Sequence, residues 1–117
     1  MIRLGCAPYL ECSSRGDKRF SAFYARVGGR SIEEIYQAAK VFDDELTELT
    51  WREAKGRKAQ NQTEVAALYS HLWDVYIAAH PELLDVLRAA SGLSDMFGQE
   101  GHCCQAVELW RIRNTYT

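Results

Sequence analysis

The sequence predicts a mainly α-helical single domain with a short extended segment near its N-terminus. Three stretches of the form Ser/Thr/Asn-x-x-Glu, in which a helix-capping side chain is followed by an acid, stand before apolar patterns. One of these patterns keeps a single apolar face for about four helical turns. The 117 residues, of which 47% are hydrophobic, contain no linker or internal repeat, so we expect one core over residues 1–117.

The first 29 residues hold only short apolar groups, and residues 1–18 are expected to be loosely ordered. The stretch from Arg19 to Val27 partly alternates between polar and apolar residues and runs into Gly28 and Gly29. This pattern predicts a strand or extended segment that ends in a glycine turn.

A first helix is predicted to begin at Ser31. In a capping box, Ser31 accepts a hydrogen bond from the amide of Glu34, and Glu34 accepts one from the amide of Ser31. The apolar stripe that follows has the 3- and 4-residue spacing of a helix and consists of Ile32, Ile35, Tyr36, Ala39 and Phe42.

The other two boxes begin at Thr50 and Asn61, and they predict a short helix ending near Gly56 and a longer helix. Pro81 suits a first helical position, so a further helix should start there and end at a Gly92 cap. The apolar face of the longer helix is Val65, Leu68, Tyr69, Leu72, Trp73, Tyr76 and Ile77.

The segment from Gly92 to His102 is predicted to be a loop, because it holds three glycines and few periodic apolar residues. Residues 105–113 show neither the clean polar and apolar alternation of a strand nor a single helical stripe. We assign them to a helix rather than a strand. Trp51, Trp73 and Trp110 fall on apolar stripes and are assigned to the core.

The charge balance and the apolar runs restrict the class of protein. Lysine and arginine number 14 against 16 aspartates and glutamates, so the chain has no basic footprint for nucleic acid. No window approaches about 18 consecutive apolar residues, and residues 1–7 lack the apolar stretch of a secretory signal. We therefore expect a cytoplasmic protein that is not inserted in a membrane.

The four cysteines, Cys6, Cys12, Cys103 and Cys104, show no C-x-x-C spacing and are expected to be reduced, buried thiols. A zinc site with His102 is the alternative, but adjacent cysteines do not readily turn toward one tetrahedral metal. We predict no metal and no cofactor.

Two adjacent acids open the first helix, and only one has a structural role there. Glu34 completes the capping box, whereas Glu33 does not. Gln37 lies one turn further along the same face and Lys40 three residues beyond it. Acid, amide and ammonium in line beside a glycine-rich loop resemble a site for a sugar-phosphate ligand. The alternative is a solvated first-turn acid that the helix dipole favours.

Residues 20–24, "FSAFY", followed by residues 31–40, "SIEEIYQAAK", resemble the NADAR family. The signature of that family is a Ser-Asn-Phe segment and then Thr/Ser-x-Glu-His-x-x-Gln-Ala-x-Lys. Residues 80–84, 95–98 and 109–113 are similar to its Asn/His-Pro-Glu-Leu run, its Asp-x-x-Trp-Gly loop and its closing Leu-Met-x-Val-Arg helix. The chain departs from the family at Ala22, Glu34, Phe97, Cys103 and Ala106.

The resemblance implies a small helical N-glycosidase that cleaves the bond between a ribose C1 and a nitrogen. Its substrate would be a phosphoribosyl or ADP-ribosyl compound, which includes an ADP-ribosylated base. Glu33 would be the carboxylate at the anomeric carbon, where it stabilises oxocarbenium charge and orients the attacking water. One acid can suffice because a leaving base delocalises its own charge.

The resemblance also implies a set of ligand contacts. Gln37 would bind the ribose hydroxyls and Lys40 a phosphate, while Phe97 would stack on a base unless it plugs the core. Glycine backbone amides would approach an anion. The expected ligand-binding residues are Gln37, Lys40, Phe23, Asp95, Phe97, Gly98 and Gly101.

Two rivals from other classes remain open. One is a module that binds a nucleotide or ADP-ribose without cleaving it, which the departures from the family signature favour. The other is a small interaction protein that binds a partner or a second copy of the chain. For that protein, Glu33 should lie on open surface with no pocket beside it.

Overall fold

The computed structural model describes residues 1–40, 61–99 and 103–116. The fold over these ranges is mainly helical, as the sequence predicts. The helices are α1 (Ile32–Ala38), α2 (Gln62–Ala79), α3 (Pro81–Ala89) and α4 (Gln105–Thr115). The strands are β1 (Ile2–Gly5), β2 (Tyr9–Glu11), β3 (Arg26–Val27), β4 (Arg30–Ser31) and β5 (Gly92–Asp95).

A three-stranded sheet in the order β1-β5-β2 corrects two expectations. Residues 1–18 contain β1 and β2, so they are not simply loosely ordered. The loop predicted from Gly92 is wrong for residues 92–95, which form the central strand, antiparallel to β1 and parallel to β2. All four residues of β5 are buried, so the strand shows no polar and apolar alternation that would predict it.

Gly92 belongs to this strand and does not cap α3, which ends at Ala89 and has Ala90 as its C-cap. A Cβ atom at Gly92 would lie 2.5 Å from the carbonyl oxygen of Cys6 and 2.7 Å from that of Leu4. Glycine is therefore required by close backbone approach within the sheet.

The predicted extended segment before Gly28 is only partly a strand. A short 3₁₀ turn occupies Lys18–Phe20, and only Arg26–Val27 pairs, with Arg30–Ser31. The predicted glycine turn is confirmed, since Gly28 and Gly29 have φ values of 62° and 85°. Two consecutive positive φ values suit the tight turns of two-residue hairpins.

The helix start at Ser31 is confirmed, but only half of the capping box forms. Ser31 Oγ accepts from the Glu34 amide at 3.1 Å. Within the described part of the chain no hydrogen bond joins the Ser31 amide to Glu34, whose carboxylate lies 3.6 Å from Arg30 Nε. Residue 42, the last position of the predicted stripe, lies outside the described residues.

The long helix α2 carries the core, with Trp73 fully buried. Asn61 precedes it without a side-chain cap, and its amide nitrogen donates to the Ala39 carbonyl at 3.1 Å. The predicted start at Pro81 and the helix over residues 105–113 are both confirmed. Trp110 is partly buried under the Arg113 guanidinium. Three predictions lie outside the described residues: Trp51 in the core, the box at residue 50 and the helix that ends near residue 56.

None of the helices that the structure describes has the length and hydropathy to cross a membrane.

Candidate functional site

A cleft of about 430 Å³ opens where the start of α1 faces the loops that follow β2 and β5. The tyrosines of α1 and α2 and the start of α4 complete its walls. Its lining among the described residues is Ser13, Ser14, Phe23, Glu33, Tyr36, Gln37, Lys40, Tyr69, Asp95, Phe97, Cys103 and Gln105.

The cleft brings together six of the eight residues expected in the site: Glu33, Gln37, Lys40, Phe23, Asp95 and Phe97. Gly98 does not line it. A Cβ atom there would lie 3.1 Å from Cys104 Sγ and from the Ile2 side chain, so Gly98 serves close packing behind the loop. Gly101 lies outside the described residues.

Glu33 and Gln37 form a bonded pair on one face of α1. Gln37 Nε2 donates to Glu33 Oε1 at 2.8 Å, as the four-residue spacing allows. The Glu33 backbone amide donates to the Ala22 carbonyl at 2.9 Å, which ties the helix start to the preceding loop. Glu33 is half-buried, whereas Gln37 is buried. The position of the carboxylate is thus set by both its backbone and its side chain.

Lys40 places a partly desolvated ammonium group at the same cleft. Burial lowers the pKa of Lys40, and the negative charge of Glu33 acts in the opposite direction but less strongly. The ammonium also lies 5.0 Å from the centre of the Tyr36 ring. Charge interactions strengthen where water is partly excluded, so an anionic group in the cleft would be attracted to Lys40 more strongly than on open surface.

Asp95 supports the opposite wall at the end of β5. Its Oδ1 accepts from the Phe97 amide at 3.0 Å, and its Oδ2 accepts from Gln105 Nε2 at 3.0 Å and from Cys104 Sγ at 3.6 Å. Gln105 Oε1 in turn accepts from the buried Ala22 amide at 2.7 Å. The Asp95 carboxylate therefore joins three chain segments and holds the wall in place.

Aromatic rings supply the apolar surface of the cleft. Phe97 is 60% exposed and Phe23 is 39% exposed, so Phe97 does not plug the core. Tyr36 and Tyr69 are buried beneath, with ring centroids 5.0 Å apart in an edge-to-face arrangement. Exposed ring faces beside a polar helix suit a ligand that is part aromatic and part polar.

Glu11, which the sequence did not single out, joins the two loops at the cleft. Its Oε2 accepts from the amides of Ser13 and Met96, each at 3.1 Å, and its Oε1 accepts from Ser94 Oγ at 2.8 Å. Burial acts to raise the pKa of Glu11, but these hydrogen bonds outweigh it and lower the pKa below its ordinary value. The ionised form of Glu11 therefore stabilises this arrangement of the loops.

The cysteines differ from one another in environment. Cys12 and Cys104 are buried as expected, but Cys6 is exposed because it lies in the turn after β1. Burial raises the pKa of the half-buried Cys103 thiol, against a smaller lowering by its hydrogen bond with the Tyr36 hydroxyl. Over the described ranges no three metal-ligating side chains cluster, and His102 lies outside them.

The residues that sequence reasoning missed fall into two groups. Tyr36 and Tyr69 were assigned to the core by periodicity, and they lie both in the core and at the base of the cleft. Ser13, Ser14, Cys103 and Gln105 reach the cleft only through the sheet and the docking of α4. Gln105 carries the one local signal among them, because it is a polar residue at helical spacing from Leu109 and Ile112, which are buried.

The described cleft combines a fixed carboxylate, a buried amide, an ammonium group and exposed ring faces. Together they can bind a ligand that carries hydroxyl groups, a negative charge and an aromatic system. Neither a protein-family model nor a curated protein or solved structure is significantly similar to this chain.

Proposed function

We propose that the protein is a diverged N-glycosidase of the NADAR kind, which hydrolyses the bond between ribose C1 and nitrogen in a phosphoribosyl or ADP-ribosyl compound. The observation that supports it best is the hydrogen-bonded pair of Glu33 and Gln37 in a cleft that also contains Lys40. A cleft of about 430 Å³ lies within the usual range for small-molecule sites.

Glu33 acts at the anomeric carbon. One carboxylate oxygen is held by Gln37, and no described residue donates to the other, Oε2, which can face a sugar or a water molecule. When the C–N bond breaks, its electron pair goes to the base nitrogen, which takes a proton from solvent. Water then bonds to C1 and gives a proton to the carboxylate. A fixed negative charge stabilises the oxocarbenium character of C1 in between.

The rest of the ligand is matched by the neighbouring groups. Lys40 neutralises a phosphate, because its ammonium is only partly solvated and lines the same cleft as Glu33. Phe97 and Phe23 offer exposed rings on which a base stacks.

The binding module remains the second candidate, and one observation favours it. Asp95 is the other carboxylate of the described cleft, and both of its oxygens are occupied by internal hydrogen bonds. It is therefore poorly placed to protonate a leaving base. A compound whose base is a poor leaving group would be bound without being cleaved. The interaction protein is less well supported, because Glu33 lies in a cleft and not on open surface.

The adjacent acids of α1 provide a matched test. Wild type, Glu33→Gln and Glu34→Gln are incubated with a panel of phosphoribosyl and ADP-ribosyl compounds, and the released base is measured by chromatography. Both substitutions remove one charge from the first turn, so their effects through the helix dipole are alike. Only Glu33 lines the cleft, whereas Glu34 lies beside Arg30.

We expect Glu33→Gln to slow base release by about 10²- to 10⁴-fold and Glu34→Gln to leave it near the wild-type rate. Equal rates for the two variants would remove Glu33 from the mechanism. Calorimetric binding of a panel compound with no base released by wild type would support the binding module instead.

A further inference from the structure

The side-chain carbonyl oxygen of Gln37 is an unsatisfied acceptor in the wall of the cleft. Gln37 is only 5% exposed, and its Oε1 has no hydrogen-bond partner among the described residues. A carboxylate accepts hydrogen bonds and donates none, so the amide nitrogen must face Glu33 and the oxygen must point elsewhere. The other such atom in the described ranges, Trp73 Nε1, belongs to a core residue that does not line the cleft.

A buried acceptor without a donor is unfavourable, and native proteins contain few of them. Since Gln37 lines the cleft, a donor carried by a ligand would satisfy this oxygen. The amide nitrogen, two bonds away from the oxygen, is bonded to Glu33. A donor that reaches this oxygen would therefore lie close to the ligand atom that meets the Glu33 carboxylate.

We propose, resting on the proposed function, that Gln37 Oε1 accepts a hydrogen bond from the 2′-hydroxyl of the substrate ribose. Under that function the atom at Glu33 is the anomeric carbon, and the carbon bonded to it carries the 2′-hydroxyl. A single amide group then donates to the carboxylate through its nitrogen and accepts from the 2′-hydroxyl through its oxygen. The cleft is thereby specific for ribosyl over 2′-deoxyribosyl compounds.

A small adjustment accompanies this contact, because Oε1 is shielded from solvent in the structure. The terminal torsion of a glutamine side chain is broad, so a modest turn of the amide exposes the oxygen at little cost. The bond from Nε2 to Glu33 tolerates such a turn because hydrogen-bond angles also vary widely.

The expected discrimination is about tenfold, the worth of one hydrogen bond. It is much smaller than the about 10⁴-fold rejection by sites whose buried polar groups are left unpaired when the ligand lacks the matching group. The reason is that Gln37 Oε1 has no donor among the described residues, so a deoxy ligand leaves the oxygen as it was.

The test measures the binding of adenosine 5′-monophosphate and of its 2′-deoxy analogue by calorimetry. The proteins are wild type, Gln37→Met and, as a control, Gln99→Met, since Gln99 is exposed and does not line this cleft. Loss of the Gln37 bond to Glu33 weakens the binding of both nucleotides alike. The ratio of their affinities therefore reports only the contribution of Gln37 Oε1. Circular dichroism and the melting temperature verify that each variant is folded, and adenine release is followed in parallel.

We expect the ribonucleotide to bind wild type and Gln99→Met about tenfold more tightly than the deoxynucleotide, and the ratio to approach one in Gln37→Met. Equal binding of the two nucleotides to wild type, no binding of either, or a ratio that survives Gln37→Met would overturn the inference. Adenine release without discrimination leaves the hydrolase standing and refutes the ribose contact. If wild type discriminates between the two nucleotides, Gln37→Met does not, and no base is released, the ribose contact is supported and the hydrolase is refuted.

Discussion

Gln105→Leu should disconnect the two walls of the cleft. The Gln105 side chain accepts from the buried Ala22 amide at 2.7 Å and donates to Asp95 at 3.0 Å. Leucine removes both bonds. An orphaned buried amide costs about 1–3 kcal/mol, and a hydrogen bond to a charged group contributes about 1.5–3 kcal/mol. Because the two terms share one side chain and leucine regains apolar burial, we expect a net loss of about 3 kcal/mol in the free energy of unfolding.

The assay is urea unfolding followed by tryptophan fluorescence. With a slope of about 2 kcal/mol/M, the transition midpoint of Gln105→Leu should fall by about 1.5 M. Gln99→Leu, at an exposed position after β5, is the control and should change the free energy of unfolding by less than about 0.5 kcal/mol. If the two variants unfold within about 0.5 M of each other, the bridge through Gln105 does not stabilise the fold.

Gln105→Glu separates the two bonds of the bridge. A glutamate still has an oxygen that can accept from the Ala22 amide, but it sets a carboxylate against Asp95. Two carboxylates in contact raise the pKa of one of them, so the pair gains a proton as the pH falls. The stability of Gln105→Glu relative to wild type should therefore improve between about pH 7 and pH 5. A difference from wild type that does not vary with pH would contradict this reasoning.

Three further outcomes follow from the structure. Gly5 and Gly28 both have positive φ (78° and 62°), but a Cβ atom at Gly5 would lie 2.5 Å from the Trp110 ring while one at Gly28 meets nothing within 4 Å. Gly28→Ala should therefore lower the free energy of unfolding in urea by about 1 kcal/mol, and Gly5→Ala should lower it by about 2 kcal/mol more. Equal losses would show that the contact with Trp110 has no energetic effect. The pKa of Glu11 is lowered because its hydrogen bonds outweigh the rise from burial, so its contribution is present above its ordinary pKa of 4.5 and is lost as the pH falls through the lower folded value. In a pH series of melting temperatures, Glu11→Gln should therefore lose less stability than wild type as the pH falls through this range. An equal loss in the two proteins would exclude Glu11 as its source. Phe97→Ala should weaken nucleotide binding by about 1–3 kcal/mol through lost stacking with little change in stability, and unaltered calorimetric affinity would remove Phe97 from the site.

The positions of the helices could be predicted from the sequence, because the interactions that define them join residues only a few positions apart. Ser31 caps its own helix through the amide three residues on, and Pro81 starts the next through its fixed φ. The same local rule is enough to put Glu33 and Gln37 on one helix face, whereas Lys40 lies beyond the end of α1 and still lines the cleft. The role of Glu33 as a catalytic carboxylate stays a prediction.

The sheet and the opposite wall of the cleft were decided by tertiary structure alone. The β5 strand is four buried residues long, and it is a strand because β1 and β2, more than 80 positions earlier, flank it in register. Local periodicity carries no information about such a partner, and each strand is too short to be stable by itself. Glu11, Ser13, Ser14 and Gln105 reach the cleft for the same reason. The unsatisfied oxygen of Gln37 likewise depends on which groups surround it after folding, and no sequence pattern encodes that.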